Sequence, residues 1–349
     1  MNILIYSETF WPDMGGMERN TYTLSKCLAN QNNRVTLLTA TPGRAIDEYP
    51  FHVVRTSKKA DILLHVFKSD LIIVNGGVSA KVCLSAIAFT KPYLVIYQTS
   101  ELYSRRGRGY LTRVNNSMRK WMAEKAKMNI CVSLYATTCL HLKNNNCVAL
   151  VNPIDEELEM IYTNLSEKSL KKKYDLLFAG RLIEGKGIFI LLEAILTLGR
   201  KDLSVAFAGE GNERSLLEES AKKKGVRIDF PGRLEREELV QMYMQSKVLI
   251  VPSSTHIEGF PLVISEALSV GTPVIASNQP AMVEAVGDAG LTFESFDSAD
   301  LAEKIKVLLD NPDVLKEKTE NAVKRKNGLS FKTYEKKLSD IISDVKWGM

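Results

Sequence analysis

The stretch KVLIVPSSTHIEGFPLVISEALSVGTPVIAS, residues 247–277, decides the fold. It reads as an apolar strand over Lys247–Val251, a loop carrying Glu258, a helix carrying Glu266, and a second strand over Thr272–Ala276. Pro261 suits the first helical position, where a missing N–H costs nothing, and Gly271 suits the stop. The backbone N–H groups of Leu262 and Val263 at such a helix start are free to meet a phosphate. A carboxylate accepts paired hydrogen bonds from neighbouring sugar or ribose hydroxyls. Acids and free N–H groups in one loop suit a sugar joined to phosphates. The competing reading is an ordinary acidic cap followed by a surface glutamate.

Outward from this stretch, short apolar strands alternate with helical patterns along nearly the whole chain. Strands are expected at Asn2–Tyr6, Arg34–Thr39, Leu71–Val74, Tyr93–Tyr97, Met128–Val132 and Val148–Val151. The rhythm restarts at Tyr174–Ala179 and continues through Ser204–Ala208, Arg227–Phe230 and Lys247–Val251. Such alternation gives α/β architecture with parallel sheets covered on both faces. Two runs joined by the polar, Lys-rich segment 152–173 predict two doubly wound, Rossmann-like domains, residues 1–152 and 153–330. A last helix over 331–349 follows a break expected at Asn327–Gly328. It is a candidate to pack back on the first domain.

The chain has 349 residues, 45% hydrophobic and 25% charged, as in an ordinary globular protein. It opens on MNILIYSE, which lacks the basic and apolar regions of a secretory signal, and no apolar run approaches a membrane span. The five cysteines form no C-x-x-C pair, so reduced thiols in a cytoplasmic protein are expected. The net charge of +5 is unevenly spread: residues 1–152 hold 19 Lys and Arg against 9 acids, and the remainder holds 27 against 32. Arg105, Arg106, Arg108, Arg113, Arg119 and Lys120 concentrate the excess, interleaved with Tyr103, Tyr110, Leu111 and Trp121. Each such cation near an anionic bilayer contributes about 1 kcal/mol, so this stretch is a candidate membrane or acceptor patch. Nucleic acid is the competing target for a basic patch, but no nucleic-acid motif accompanies it. A solvated helix face is the plain structural reading.

In open parallel sheets ligands bind beyond the carboxyl ends of the strands. Four loops there stand out. FWPDMGGMER places Gly15 and Gly16 ahead of a helix, without a dinucleotide fingerprint. AGRLIEGKG, residues 179–187, fits G-x-x-x-x-G-K, but Gly187 replaces the hydroxyl residue that would hold magnesium, which argues against NTP hydrolysis. Arg181 and Lys186 in that loop can neutralise a diphosphate without a metal. FAGEGNER supplies Gly209 and Gly211. The fourth loop is the opening one, whose two carboxylates need cations to coexist.

Together these strings resemble the retaining glycosyltransferases of family 4, with the GT-B fold: GG near the start, AGRL–EGKG, GEG, FPGRL, VPSS–EGFPLVISEALSVGTPVIAS and the late LSF. The resemblance implies two Rossmann-like domains facing a cleft, with a nucleotide sugar held by the second domain and the acceptor by the first. It implies that Arg181 and Lys186 hold the diphosphate, Glu266 the ribose and Glu258 the donor sugar. Gly259, Phe260, Leu262 and Val263 would line the donor site. Backbone near Arg233 and Leu234 would meet the base, and Gly15 and Gly16 would line the cleft. It implies no metal and no cofactor; the donor is a nucleoside-diphosphate sugar, UDP ahead of GDP. The expected reaction is hexosyl transfer onto a glycan or lipid-linked glycan in surface polysaccharide or lipopolysaccharide biosynthesis, by a cytoplasmic protein peripheral to the inner membrane face. A non-catalytic nucleotide-sugar-binding subunit and a sugar-nucleotide epimerase are the alternatives. Three departures stand out. Gln98 replaces a frequent His and remains a candidate sugar contact, as does His256. Pro153 stands where the joint often has Gly, and Asn278-Gln279-Pro280 follow VIAS in place of glycines.

Overall fold

The computed structural model describes residues 1–12, 15–43, 48–99, 110–143, 146–154, 156–166 and 170–347. The chain divides into two compact units, Met1–Asn152 together with the segment from Glu335, and Pro153–Tyr334.

The first unit runs β1 (Asn2–Ser7), α1 (Gly16–Asn30), β2 (Arg34–Thr39), β3 (His52–Arg55), α2 (Lys59–Lys68), β4 (Leu71–Asn75), α3 (Ala80–Ala88) and β5 (Tyr93–Tyr97). It continues with α4 (Tyr110–Lys125), β6 (Met128–Cys131), α5 (Leu134–Cys139) and β7 (Cys147–Ala149). The strands form one parallel sheet in the order β3-β2-β1-β4-β5-β6-β7. Central strands such as β4 and β5 are buried along their whole length because helices cover both faces. Val66 of α2, Val82 and Ala86 of α3, and Met122 of α4 share one core cluster with Leu4, Ile72 and Val95 of the sheet.

The second unit starts with α6 (Glu156–Ser166), a helix within the joint expected as a linker or surface helix. There follow β8 (Tyr174–Ala179), α7 (Ile188–Leu198), β9 (Val205–Ala208), α8 (Arg214–Lys223), β10 (Asp229–Gly232) and α9 (Arg236–Gln245). Then come β11 (Ser246–Val251), α10 (Leu262–Ser269), β12 (Val274–Ser277), α11 (Pro280–Val286), β13 (Gly290–Phe293), α12 (Ser298–Asp310) and α13 (Pro312–Leu329). The parallel order is β10-β9-β8-β11-β12-β13. The break expected at Asn327–Gly328 is corrected: α13 runs through both residues, and Ser330 ends it with an extended backbone. A side chain at Gly328 would meet nothing within 4 Å, so the glycine faces open space on an exposed turn. The last helix, α14, spans Phe331–Trp347.

In each sheet the strand order reverses once, between β1 and β4 and between β8 and β11. Loops diverge at such a reversal and leave a crevice at the strands' carboxyl ends. The loops after β8 and β11 are the AGRLIEGKG and EGFPLVISE segments.

Candidate functional site

In the second unit these two loops are bolted together. The Gly185 carbonyl accepts from the Ser254 N–H (3.0 Å) and the His256 N–H (3.2 Å). Gly187 has φ +71°, and a Cβ there would lie 1.8 Å from the Pro252 carbonyl oxygen. No hydroxyl residue fits that position, which gives a steric reason for the missing magnesium ligand. Gly187→Ala is therefore expected to destabilise the second unit by about 3 kcal/mol or more, through backbone strain plus overlap. Gly199 also has positive φ, but its Cβ would meet nothing within 4 Å; Gly199→Ala should cost only about 1 kcal/mol. Urea midpoints of the two variants make the comparison, and equal shifts would refute the overlap.

This clamp presents Lys186 to Glu258. The Lys186 ammonium forms an ion pair with Glu258 Oε1, the side chains being 20% and 11% exposed. Ser253 Oγ donates to the same oxygen at 3.0 Å. The loop is braced from behind by Gln279, whose Oε1 accepts from the Glu258 N–H (3.2 Å) and whose Nε2 donates to the carbonyls of Ser253 (3.0 Å) and His256 (3.1 Å). Asn278 bonds Glu294 and Ser295. Of this departure, Gln279 braces the acidic loop, whereas Asn278 holds the segment after β13. Arg181 is exposed in the same region.

His256 is half-buried, and its pKa is lowered first by burial and then by the neighbouring Lys186 and Arg181, against the opposing pull of Glu258. A folded-state pKa below the unfolded value favours the neutral ring. The resulting stability is present above the ordinary histidine pKa of about 6.5 and is lost as pH falls through it. The melting temperature of the wild type should drop more than that of His256→Asn between pH 7.5 and 5.5. Parallel curves would show that His256 titrates freely.

Glu266 is placed differently from Glu258. It is 5% exposed, on α10, with Oε1 accepting from Arg236 Nη1 (3.1 Å) and Oε2 from the Tyr243 hydroxyl (2.9 Å). Both partners lie on α9, and sequence reading missed them; no local spacing links Glu266 to residues 30 and 23 positions away. Pro261 is corrected to the helix cap: its backbone is extended, and α10 begins at Leu262. Leu262 and Val263 are half-buried, and Gly259 and Phe260 are buried. In the third loop Gly209 has φ +142°, and a Cβ would fall 1.9 Å from the Gly180 carbonyl oxygen. Its glycine thus serves contact between neighbouring loops. Arg233, between β10 and α9, is exposed, and Leu234 is half-buried.

In the first unit Gly15 caps α1 and Gly16 opens it, both exposed. Gln98, after β5, is drawn into a ring of side-chain amides. Its Nε2 donates to Asn20 Oδ1 (2.6 Å) and Asn75 Oδ1 (2.8 Å), while its Oε1 accepts from Asn152 Nδ2 (3.0 Å). Asn20 Nδ2 closes the ring on Asn152 Oδ1 at 2.5 Å. Gln98 is therefore spoken for within its own domain, a role the sequence did not suggest. Of the basic stretch, Arg105, Arg106 and Arg108 lie outside the described residues. Arg113 is exposed on α4, whereas Arg119 and Lys120 are half-buried. The described cysteines are all free thiols, three of them buried. Among the described residues there is no cluster of three or more metal-ligating side chains, and no helix is long and apolar enough to cross a membrane.

With this geometry established, comparison with known proteins becomes specific. The family model described as Glycosyl transferases group 1 matches residues 163–326, and the one described as Glycosyltransferase Family 4 matches residues 14–157. The chain belongs to the group 1, family 4 glycosyltransferases. Glycogen synthase of Mycobacterium tuberculosis is 28% identical over 218 residues, 58% of this chain and 50% of that protein. An α-1,4-N-acetyl-D-galactosaminyltransferase of Campylobacter jejuni, whose name gives a diNAcBac-PP-undecaprenol-linked acceptor, is 29% identical over 203 residues, 56% of this chain and 54% of that protein. The chain spans about half the length of these curated relatives. HepE of Anabaena, solved in complex with UDP, superposes with a TM-score of 0.82 at 17% identity, covering 99% of this chain and all of that one. That likeness is one of fold: the two parallel α/β units are those of a GT-B family 4 glycosyltransferase.

Proposed function

We propose that the chain is a retaining glycosyltransferase that moves a hexosyl group from a UDP-sugar to a lipid-linked glycan in surface polysaccharide biosynthesis. The observation that carries this is the Lys186–Glu258 pair beside Arg181, at the strand-order reversal of the second unit. Without ligand, Lys186 neutralises Glu258. When a diphosphate arrives, Lys186 and Arg181 turn to it, and Glu258 is released to accept hydroxyls of the donor sugar. Glu266, fixed by Arg236 and Tyr243, is the carboxylate assigned to the ribose hydroxyls. Gly259, Phe260, Leu262 and Val263 form the wall, and backbone near Arg233 and Leu234 meets the base.

In the reaction the bond from the anomeric carbon to the diphosphate breaks as the acceptor hydroxyl attacks from the same face. Its proton passes to a donor phosphate oxygen, and the two cations stabilise the leaving group. On this reading the cations supply the charge a metal would otherwise bring. The Campylobacter relative's lipid-linked acceptor and the Anabaena neighbour's UDP support the substrate classes. A lipid-linked acceptor puts the protein on the cytoplasmic face of a membrane, with the first unit as the acceptor domain.

A panel of UDP- and GDP-sugars tested by thermal shift checks the donor, because a ligand held at a hundred times its Kd stabilises by about 2.7 kcal/mol. One UDP-sugar should raise the melting temperature, and transfer in EDTA should give a product of unchanged anomeric configuration. No shift with any nucleotide sugar would end the proposal; an inverted product would end the retaining mechanism.

A further inference from the structure

The turn after β13 carries a side chain that its backbone does not favour. Glu294–Asp297 is a β-turn closed by the Asp297 N–H on the Glu294 carbonyl (3.0 Å), and its third residue, Phe296, has φ +70°. That place ordinarily takes Gly or Asn, because in the left-handed region a Cβ crowds the following carbonyl. The other described non-glycine residues at positive φ are Asn32, Thr90 and His141. Each directly follows a helix cap, where this conformation is a common stop. Phe296 instead links a strand to a helix. It is also 62% exposed, so burial does little to offset the backbone cost.

The turn is braced on both sides. Asn278 Oδ1 accepts from the Ser295 N–H (3.1 Å) and the Ser295 hydroxyl (2.8 Å), and the Asn278 N–H donates to the Phe293 carbonyl (2.8 Å). Asp300 accepts from the Glu294 N–H (2.7 Å) and pairs with Lys304 (3.0 Å). Asp297 accepts from the N–H groups of Ala299 and Asp300, at 2.9 Å each. The same frame reaches the acidic loop, since Gln279, next to Asn278, accepts from the Glu258 N–H (3.2 Å). β11, β12 and β13 are parallel neighbours, so the turn and the Glu258 loop lie at one carboxyl edge of the sheet. Two strand spacings of about 4.8 Å separate β11 from β13, a span that a short oligosaccharide bridges.

We infer that Phe296 is the stacking platform of a glycan subsite in the second unit, where a neutral sugar ring distal to the reacting one lies on the phenyl face. The inference deepens the glycan-acceptor reading and rests on it for the ligand class. The electron-rich face of an aromatic ring attracts the C–H face of a pyranose, as it attracts other positive edges. Charge selects the kind of sugar. The flanking side chains, Glu294 and Asp297, are exposed acids. Carboxylates accept hydroxyls and repel uronates, phosphates and an anionic bilayer. One ring is also far short of the apolar core of a stable dimer. A side chain kept at a place built for glycine, with its ring in solvent, fits a binding role better than a packing role.

The test probes an array of immobilised neutral and uronate-containing oligosaccharides with the full chain in saturating UDP. The wild type should bind neutral oligosaccharides and ignore the uronates. Phe296→Ala should weaken that binding about tenfold, the value of one aromatic stacking contact, and Phe296→Trp should retain it. UDP-sugar thermal shifts should be the same in both variants as in the wild type. Phe296→Gly should bind as weakly as the alanine variant yet melt about 2 °C above wild type, because it relieves the turn. A lower melting temperature there would assign the ring to packing and overturn the inference. So would undiminished array binding by Phe296→Ala, a wild type that binds no neutral glycan, or one that prefers uronates. A dimer that Phe296→Ala dissolves, with no glycan bound, would give the ring to a second copy and overturn it as well. Failure of the donor reading is separable: nucleotide-sugar shifts are then absent while array binding that depends on Phe296 remains.

Discussion

Lys186→Ala is expected to lower kcat/KM for glycosyl transfer about a thousandfold. A preorganised charge aimed at a developing anion is worth about 4 kcal/mol in the transition state, and each 1.36 kcal/mol is a factor of ten. The structure adds a complication, because Lys186 also neutralises Glu258, which is only 11% exposed. Removing the lysine leaves that carboxylate with Ser253 as its hydrogen-bond donor and without its paired cation. Part of the loss in the single variant is thus a misplaced loop. The double variant Lys186→Ala, Glu258→Gln separates the two effects. It should regain the melting temperature lost by the single variant and regain almost none of the activity. Recovered turnover in the double variant would mean that Lys186 acts only by holding Glu258.

The second large effect concerns stability. Glu266→Ala should cost about 3–5 kcal/mol, because it breaks a buried ion pair with the Arg236 guanidinium, 14% exposed, and opens a cavity. At about 2–4 °C per kcal/mol for a unit of this size, the second unit should melt about 10 °C lower. An alanine scan would report Glu266→Ala as inactive for the wrong reason. Glu266→Gln keeps a contact with both Arg236 and Tyr243 while removing the charge. It should melt within a few degrees of wild type yet raise the KM for the donor about tenfold, the value of one charge-assisted hydrogen bond. Calorimetry on the full chain resolves this, since the two units can unfold in separate steps. Wild-type donor kinetics in Glu266→Gln would remove Glu266 from the donor site.

The legible parts of this fold share a physical character. β2, β5 and β8 lie where expected to the residue, because interior parallel strands are continuous apolar runs. The misread strands include all four at sheet edges, and interior β12 starts two residues later and ends one later than expected. β3 and β13 went unread, and β7 and β10 were displaced. An edge strand has one neighbour and less cover, so HVVR and CVA are only partly buried and carry little apolar signal. The site divides the same way. Glu258, Lys186 and Gly187 were visible because loops after strands are local and their glycines and charges stand out. Arg236 and Tyr243 were not, because what joins α9 to Glu266 is the fold itself. The surface of α4 was half visible: its cations stand out in the sequence, while Tyr110 and Leu111, 79% and 82% exposed, depend on how little of the helix is packed.

The amide ring around Gln98 limits which side chains that position accepts. Gln98 spends two donors on Asn20 and Asn75 and one acceptor on Asn152. A neutral imidazole brings one donor and one acceptor. Asn20 Oδ1 also accepts from Asn75 Nδ2 (3.2 Å), so a neutral imidazole with one donor for Asn75 and one acceptor for Asn152 leaves no asparagine oxygen unmatched, whereas a charged one leaves the Asn152 amide facing a donor. The ring therefore works as a charge filter: it matches a neutral side chain with one donor and one acceptor at position 98, and it excludes a cation there.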